Sequence, residues 1–337
     1  MQKRRIGNLE VSEIGMGCMG FSHGYGRIPD REYSIEAIRK AADYGCTFFD
    51  TAEVYGMQTQ YPGHNEEMLG EAVEGFRERI VLATKIHPMA ESLTASGDLY
   101  SIFKNHLAAS LKRLRTDYVD LYYLHRMEDG ISAEEVADAM GRLIGEGLIR
   151  AWGLSQVNVD TLSAAHGVTP VSAVQNLYNI LERDCEKDIF PYCIENSIGV
   201  VPFSPIASGL LSGKITVNTE FEKVDDVRNW VPQLSKENIA GNQPIVEALS
   251  SFAEKKNATP AQISLAWMLH KYPNVVPIPG SKNQERILEN LGASEVELTD
   301  AEFAELESAL DGLTVYGHRG HVESVKDSIR NNTKNNR

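Results

Sequence analysis

Short apolar runs rich in β-branched and aromatic residues alternate along the chain with longer stretches of helical period. The runs predict strands over Ile14–Gly17, Thr47–Asp50, Ile80–Lys85, Tyr118–His125, Arg150–Ser155, Ala173–Leu177, Gly199–Phe203 and Val275–Pro279. The spacing between them predicts helices over Ser34–Tyr44, Glu66–Arg77, Ser101–Leu114, Ala133–Glu146, Asp184–Asn196 and Pro260–His270, with Asp117 and Ser132 at turn or cap positions. Eight strands, each followed by a helical segment, build either a closed (β/α)8 barrel or an open doubly wound sheet. The Gly7-Asn8 pair between two short runs predicts a small hairpin within Met1–Glu13. Met57–Asn65 and Ser212–Gly241 read as long loops, and Arg330–Arg337 as a frayed end. No linker or compositional break divides the chain. One domain is expected over 1–337, with a barrel core at about 14–293 and a C-terminal helix and tail at 294–337.

Composition narrows the choice of partners. With 337 residues and 42% hydrophobic content the chain can bury a substantial core, and its net charge of −14 argues against nucleic acid or an anionic membrane. No stretch approaches the roughly 20 apolar residues of a membrane span, and the basic start lacks the apolar core of a secretory signal. Cys18, Cys46, Cys185 and Cys193 have neither CxxC nor zinc-finger spacing, so reduced thiols in a cytoplasmic protein are expected.

Gly15-Met16-Gly17-Cys18-Met19-Gly20 satisfies GxGxxG, the pattern of a Rossmann nucleotide site. That motif opens a helix at its third glycine. Here Phe21-Ser22-His23-Gly24-Tyr25-Gly26-Arg27-Ile28-Pro29 follows, which two glycines and a proline keep from being helical. A loop at the top of the first strand is the expected structure.

More telling is how each run ends: Phe48-Phe49 in Asp50, Ala83-Thr84 in Lys85, Tyr123-Leu124 in His125, and later runs at Ser155, Gln175 and Phe203-Ser204. In a barrel the C-terminal strand ends converge on one rim, where active sites sit. Taken singly, an Asp after a strand is usually a cap, a terminal Lys faces water and a lone His is structural. Three on consecutive strands point to one mouth. Tyr55 joins them five residues beyond Asp50. A phenol with a pKa of about 10 is too weak an acid at neutral pH. A lysine ammonium beside it is expected to pull that value down, with Asp50 aiming the lysine. Such a set donates a proton to a carbonyl oxygen, with His125 orienting it. Lys85 would repel a metal ion, so no metal is expected. That weighs against the rival of a metal-dependent hydrolase using Asp50, His87 and His125.

Phe49-Asp50-Thr51-Ala52-Glu53-Val54-Tyr55-Gly56 and Arg115-Thr116-Asp117-Tyr118-Val119-Asp120-Leu121-Tyr122-Tyr123-Leu124-His125-Arg126 closely resemble the aldo-keto reductase family, and matches run from about Gly15 to Ala293. The resemblance implies a (β/α)8 barrel that reduces an aldehyde or ketone with NADPH bound across its mouth, and a catalytic tetrad of Asp50, Tyr55, Lys85 and His125 with Tyr55 as general acid. It implies that Ser155, Gln156 and Gln175 hold the nicotinamide carboxamide, that Phe203 stacks on the ring, and that Ser204, Pro205, Ile206, Ala207, Ser208, Gly209 and Lys214 cover the pyrophosphate. Cys18, Met19, Asp50, Arg228, Gly280, Glu289 and Asn290 complete the implied cofactor set. Lys282 and Arg286, at a helix start suited to phosphate, favour NADPH over NADH. Gln156 stands where many members have Asn, and Phe203 where others have Tyr or Trp. Substrate choice is expected from Phe21, Tyr25, His87, Met89, Arg126 and the tail around Tyr316-Gly317-His318-Arg319. The alternative reading is a nucleotide-binding regulatory subunit of the channel β-subunit type. That role would bring an N-terminal extension and an altered residue at the His125 position; no extension is expected before the hairpin, and His125 is kept.

Overall fold

The computed structural model describes residues 1–88 and 98–320; Met89 and the predicted frayed end at 330–337 lie outside the described residues. The predicted hairpin is present. Strands β1 (Lys3–Ile6) and β2 (Leu9–Ser12) pair antiparallel, with Ile6 opposite Leu9 across Gly7, whose φ of 56° suits glycine. Seven parallel strands follow in chain order around one curved sheet: β3 (Met16–Gly17), β4 (Phe48–Asp50), β5 (Val81–Ile86), β6 (Val119–Leu124), β7 (Ile149–Ser155), β8 (Ala173–Gln175) and β9 (Gly199–Val200).

The eighth run closes the barrel without becoming a regular strand. Val276 N donates to Val200 O at 2.9 Å and Ile278 N to Pro202 O at 3.2 Å on the β9 side. On the β3 side Gly15 N donates to Pro277 O at 2.9 Å and Gly17 N to Pro279 O at 3.4 Å. Pro277 and Pro279 have no N–H, so they face β3 with carbonyls only and half of the ladder is missing. Gly17 permits this approach: a Cβ there would lie 2.9 Å from Ile278 O.

Strand alternation then sets every side chain's direction. Phe48, Val81, Ala83, Leu121, Tyr123, Ala151, Ala173, Val201, Val276 and Ile278 fill the barrel interior, which Ile6, Leu9 and Val11 of the hairpin seal from below. Their neighbours Phe49, Leu82, Tyr122, Trp152, Val174 and Val200 pack outward in the larger cluster with residues of the surrounding helices. Continuing the inward parity to the strand ends brings Asp50, Lys85, His125, Ser155, Gln175 and Phe203 to one rim.

The six predicted helices appear as Arg31–Asp43, His64–Ala72, Leu99–Leu114, Ala133–Gly145, Ile189–Glu195 and Pro260–Lys271. Gly63 at φ 83° starts the second at His64, earlier than predicted, and it ends at Ala72. The fifth is shortened by a separate 3-10 turn at Asp184–Glu186. Val159–Val168, Lys236–Lys256 and Gln284–Leu291 are further helices, and Asp300–Asp311 is the expected C-terminal one. The loop predicted to run to Gly241 therefore stops at Ser235, whose side chain caps Asn238 N. No helix among the described residues is long and apolar enough to cross a membrane.

Candidate active site

Lys85 is fully buried, and its Nζ is the hub of the rim. It donates to Asp50 Oδ1, to Thr51 O at 2.8 Å and to the Tyr55 hydroxyl at 3.2 Å. These three acceptors use all three ammonium protons. Asp50 Oδ2 accepts from Gln175 Nε2 at 2.8 Å, so the carboxylate is held from two strands. Tyr55 enters from the loop after β4, where its backbone N donates to Ala52 O at 3.1 Å. The His125 ring meets the Tyr55 ring edge-on at 5.8 Å between centroids. His125 itself is fixed by its N–H, which donates to Ile86 O at 2.8 Å.

Burial penalises charge on each of these groups, and their neighbours answer it. Burial pushes the Tyr55 phenol above its ordinary value, and Lys85 beside it pulls the other way without reversing the shift. The expectation of a lowered phenol is thus corrected: desolvation outweighs the single ammonium, and Asp50 adds to it. The phenol stays neutral at physiological pH, the state a proton donor requires. Burial also opposes charge on Lys85, but Asp50 and Tyr55 more than offset this and hold its ammonium above the usual lysine range. The Asp50 carboxyl is raised by burial against the pull of Lys85 and Gln175.

A cavity of about 420 Å³ opens above the four residues and is lined by Asp50, Tyr55 and His125, with Lys85 beneath. Most residues implied for the cofactor line it: Met19, Ser155, Gln175, Phe203, Ser204, Pro205, Ile206, Ser208, Gly209, Lys214, Arg228, Gly280, Lys282, Arg286, Glu289 and Asn290. Tyr25, Arg126 and Arg319 line it too.

Eight expected residues do not, Tyr316, Gly317 and His318 of the tail among them. Cys18 and Phe21 turn their side chains into the core beside β3, where both are buried. Ala207 is buried in that same cluster. Gln156, at φ 56°, spends its amide oxygen on Leu177 N at 3.2 Å. His87 stands behind His125, their rings 5.5 Å apart, and its Nε2 is 3.5 Å from Glu128. Three expected cofactor cations are also engaged within the protein, Arg228 with Asp226 at 2.6 Å among them. Lys282 Nζ donates to Tyr25 O at 2.7 Å and Arg27 O at 2.6 Å, and Lys214 pairs with Glu289 at 2.8 Å.

Sequence reasoning missed His23, whose ring lies 5.4 Å from that of Tyr55 and which lines the cavity. It sits in the irregular glycine-rich loop, where no periodicity announces a direction. The support beneath the rim was missed as well. Glu53 accepts from His87 N at 2.7 Å and pairs with His106 at 2.9 Å, bracing the loop that carries Tyr55. Asn65 ties that loop to the first one, through Cys18 O at 2.9 Å and Ser22 Oγ at 2.7 Å.

The aldo/keto reductase family model matches residues 13–311. Probable aldo-keto reductase 1 of Glycine max is 35% identical over 315 residues, covering 92% of this chain and 89% of the relative. The Schizosaccharomyces pombe aldo-keto reductase yakc, whose name specifies NADP(+), is 37% identical over 326 residues, covering 94% and 93%. Among solved structures, an aldo-keto reductase from Klebsiella pneumoniae in complex with NADPH superposes with a TM-score of 0.70 at 29% identity, covering 91% of this chain and 95% of that one.

Proposed function

The chain belongs to the aldo/keto reductase family, and from that premise we propose that it reduces an aldehyde or ketone to the alcohol with NADPH, Tyr55 supplying the proton. The observation that carries the proposal is the Asp50–Lys85–Tyr55 network at the floor of the cavity.

The cavity suits a dinucleotide phosphate. Lys214, Arg228, Lys282 and Arg286 line it as cations, and Phe203 as an aromatic ring. The Ser208 hydroxyl is buried there with no hydrogen-bond partner among the described residues, as an oxyanion cradle requires. The relative whose name carries NADP(+) and the NADPH-bound neighbour support the same choice. Bound NADPH supplies the hydride.

The protein's own groups do the rest. Tyr55 and His125 present polar atoms to the carbonyl oxygen, which fixes the substrate's orientation and favours charge growing on that oxygen. Tyr55 Oη then gives up its proton, and the Lys85 ammonium at 3.2 Å stabilises the phenolate left behind. Asp50 keeps Lys85 charged and pointed at the phenol. Arg126, with Nη1 on Ser155 Oγ at 3.0 Å, adds positive potential at the phenol.

Absorbance at the reduced-nicotinamide band, followed with a panel of aldehydes and ketones, tests this reading. Carbonyl-dependent loss of NADPH, faster than that of NADH, is the expected result. No turnover with any carbonyl despite nucleotide binding would support the regulatory alternative instead.

A further inference from the structure

The last described residues fold back over the start of the helix Lys236–Lys256. Tyr316 exchanges two hydrogen bonds with Asn242, its N donating to Oδ1 at 3.0 Å and its carbonyl accepting from Nδ2 at 2.8 Å. The Tyr316 ring covers Gly241, where a Cβ would come within 2.6 Å of it. Gln233 N donates to His318 O at 3.2 Å. Arg319 N donates to the Glu182 carboxylate at 2.6 Å, which also accepts from Gln233 Nε2 at 2.9 Å. These bonds fix the backbone at Arg319 and send its side chain into the cavity.

There Nε donates to Ser204 Oγ at 3.2 Å. Among the described residues the Arg319 guanidinium thus hydrogen-bonds a neutral hydroxyl, and the Glu182 carboxylate acts on it through charge alone. Two other cavity cations are ion-paired: Arg228 with Asp226 and Lys214 with Glu289. Ser204 begins a turn that is left-handed at Ser204, Ala207, Ser208 and Gly209, with φ of 50°, 48°, 54° and 99°. Ser208 in that turn is 7% exposed and lines the cavity, and its hydroxyl has no partner among the described residues. A cation on a hydroxyl and an unpaired buried hydroxyl on one short turn are two halves of a receptor for an oxyanion.

We propose that Arg319, delivered by the tail, completes an oxyanion site with the Ser204–Gly209 turn. Its ligand is a phosphate or carboxylate group, and two sources offer one: the diphosphate of NADPH or an acidic group on the carbonyl substrate. The inference rests on the reading of the cavity as a site for NADPH and a carbonyl.

The full chain and its Arg319→Gln and Arg319→Lys variants are compared in two assays. NADPH affinity is read by fluorescence titration in the absence of substrate. Turnover is read with butanal and with 4-oxobutanoate, equal in chain length but different in charge. If the diphosphate is the ligand, Arg319→Gln weakens NADPH binding by about tenfold or more and changes both aldehydes alike. If the substrate supplies the anion, NADPH binding is unchanged, and kcat/KM falls about tenfold for 4-oxobutanoate alone. Either result supports the site, with Arg319→Lys restoring part of the loss. Binding and both substrates within twofold of wild type in Arg319→Gln, with an unchanged melting temperature, overturn it. A wild type that neither binds NADPH nor reduces butanal contradicts the underlying reading, and this inference with it.

Discussion

Adjacent residues of β5 serve two buried ion pairs with opposite roles. Lys85 points into the barrel and pairs with Asp50, both 3% exposed or less. Thr84 points outward, and its hydroxyl donates to Glu66 at 2.5 Å; Glu66, fully buried, pairs with Arg113 at 2.6 Å. Each pair joins a strand to its surroundings through hydrogen bonds that satisfy buried charge. Among the described residues only the first donates a hydrogen bond to a phenol and has a cavity above it; Tyr122, the phenol that the outer pair acts on through charge alone, is fully buried. An arginine cannot give up its charge at any working pH, so the outer pair is confined to holding the helix His64–Ala72 against the strand and the helix Leu99–Leu114. Burial of a charge pair alone is therefore no mark of function. What separates the two is a hydrogen bond to a phenol that opens on a cavity.

That contrast breaks most sharply at the phenol. Tyr55→Phe keeps the ring's packing and removes the hydroxyl, so turnover is expected to fall by roughly 10²–10⁴, the usual contribution of a general acid. NADPH affinity by fluorescence titration should remain near wild type. Next come the cations. Lys85→Met and Arg113→Leu each leave a buried carboxylate uncompensated, and each is expected to lose about 3–5 kcal/mol in denaturant unfolding. Only Lys85→Met should also abolish turnover, while folded Arg113→Leu should keep most of it. Equal losses of activity in the two would erase the distinction.

Gln175→Leu tests how far Asp50 depends on its second support. Removing a hydrogen bond to a charged, buried group is expected to cost about 1.5–3 kcal/mol of stability, with a smaller loss of turnover than Lys85→Met. A further effect concerns the residue that anchors the tail. Burial pushes Glu182 up to about 7 from an ordinary value of 4.5. The folded state therefore binds this proton more tightly than the unfolded chain does. The resulting stability is full below about pH 4.5 and is lost as pH rises through about 7. Glu182→Gln should flatten the fall in melting temperature between about pH 4.5 and 7 that this group contributes. An unchanged slope would show that Glu182 does not titrate there.

The rim was legible because strand ends obey a two-residue period. Once Phe48, Ala83 and Tyr123 are inward, Asp50, Lys85 and His125 must be as well. Loop residues obey no such period. His23 and the indirect roles of Glu53 and Asn65 were invisible, while Cys18 and Phe21 were placed in the cavity although their side chains face the core. The helix Lys236–Lys256 hid behind its polar start as far as Gly241, which read as a loop, and Pro244 lies in its interior. Gln175 was expected to hold the nicotinamide, yet its amide is directed at Asp50. Amide chemistry alone does not choose between two acceptors. The phenol shift was misjudged because a sequence reveals the neighbouring charge but not the depth of burial.

The arrangement of Lys85 beside Tyr55 is most directly tested by titrating that phenol. Ring-labelled tyrosine NMR, with the Tyr55→Phe spectrum identifying the resonance, follows it against pH in wild type, in Asp50→Asn and in the Asp50→Asn/Lys85→Met double variant. In wild type it should titrate above the ordinary tyrosine range, and removing Lys85 from the Asp50→Asn background should move it higher still. A phenol whose titration is indifferent to Lys85 would contradict the account.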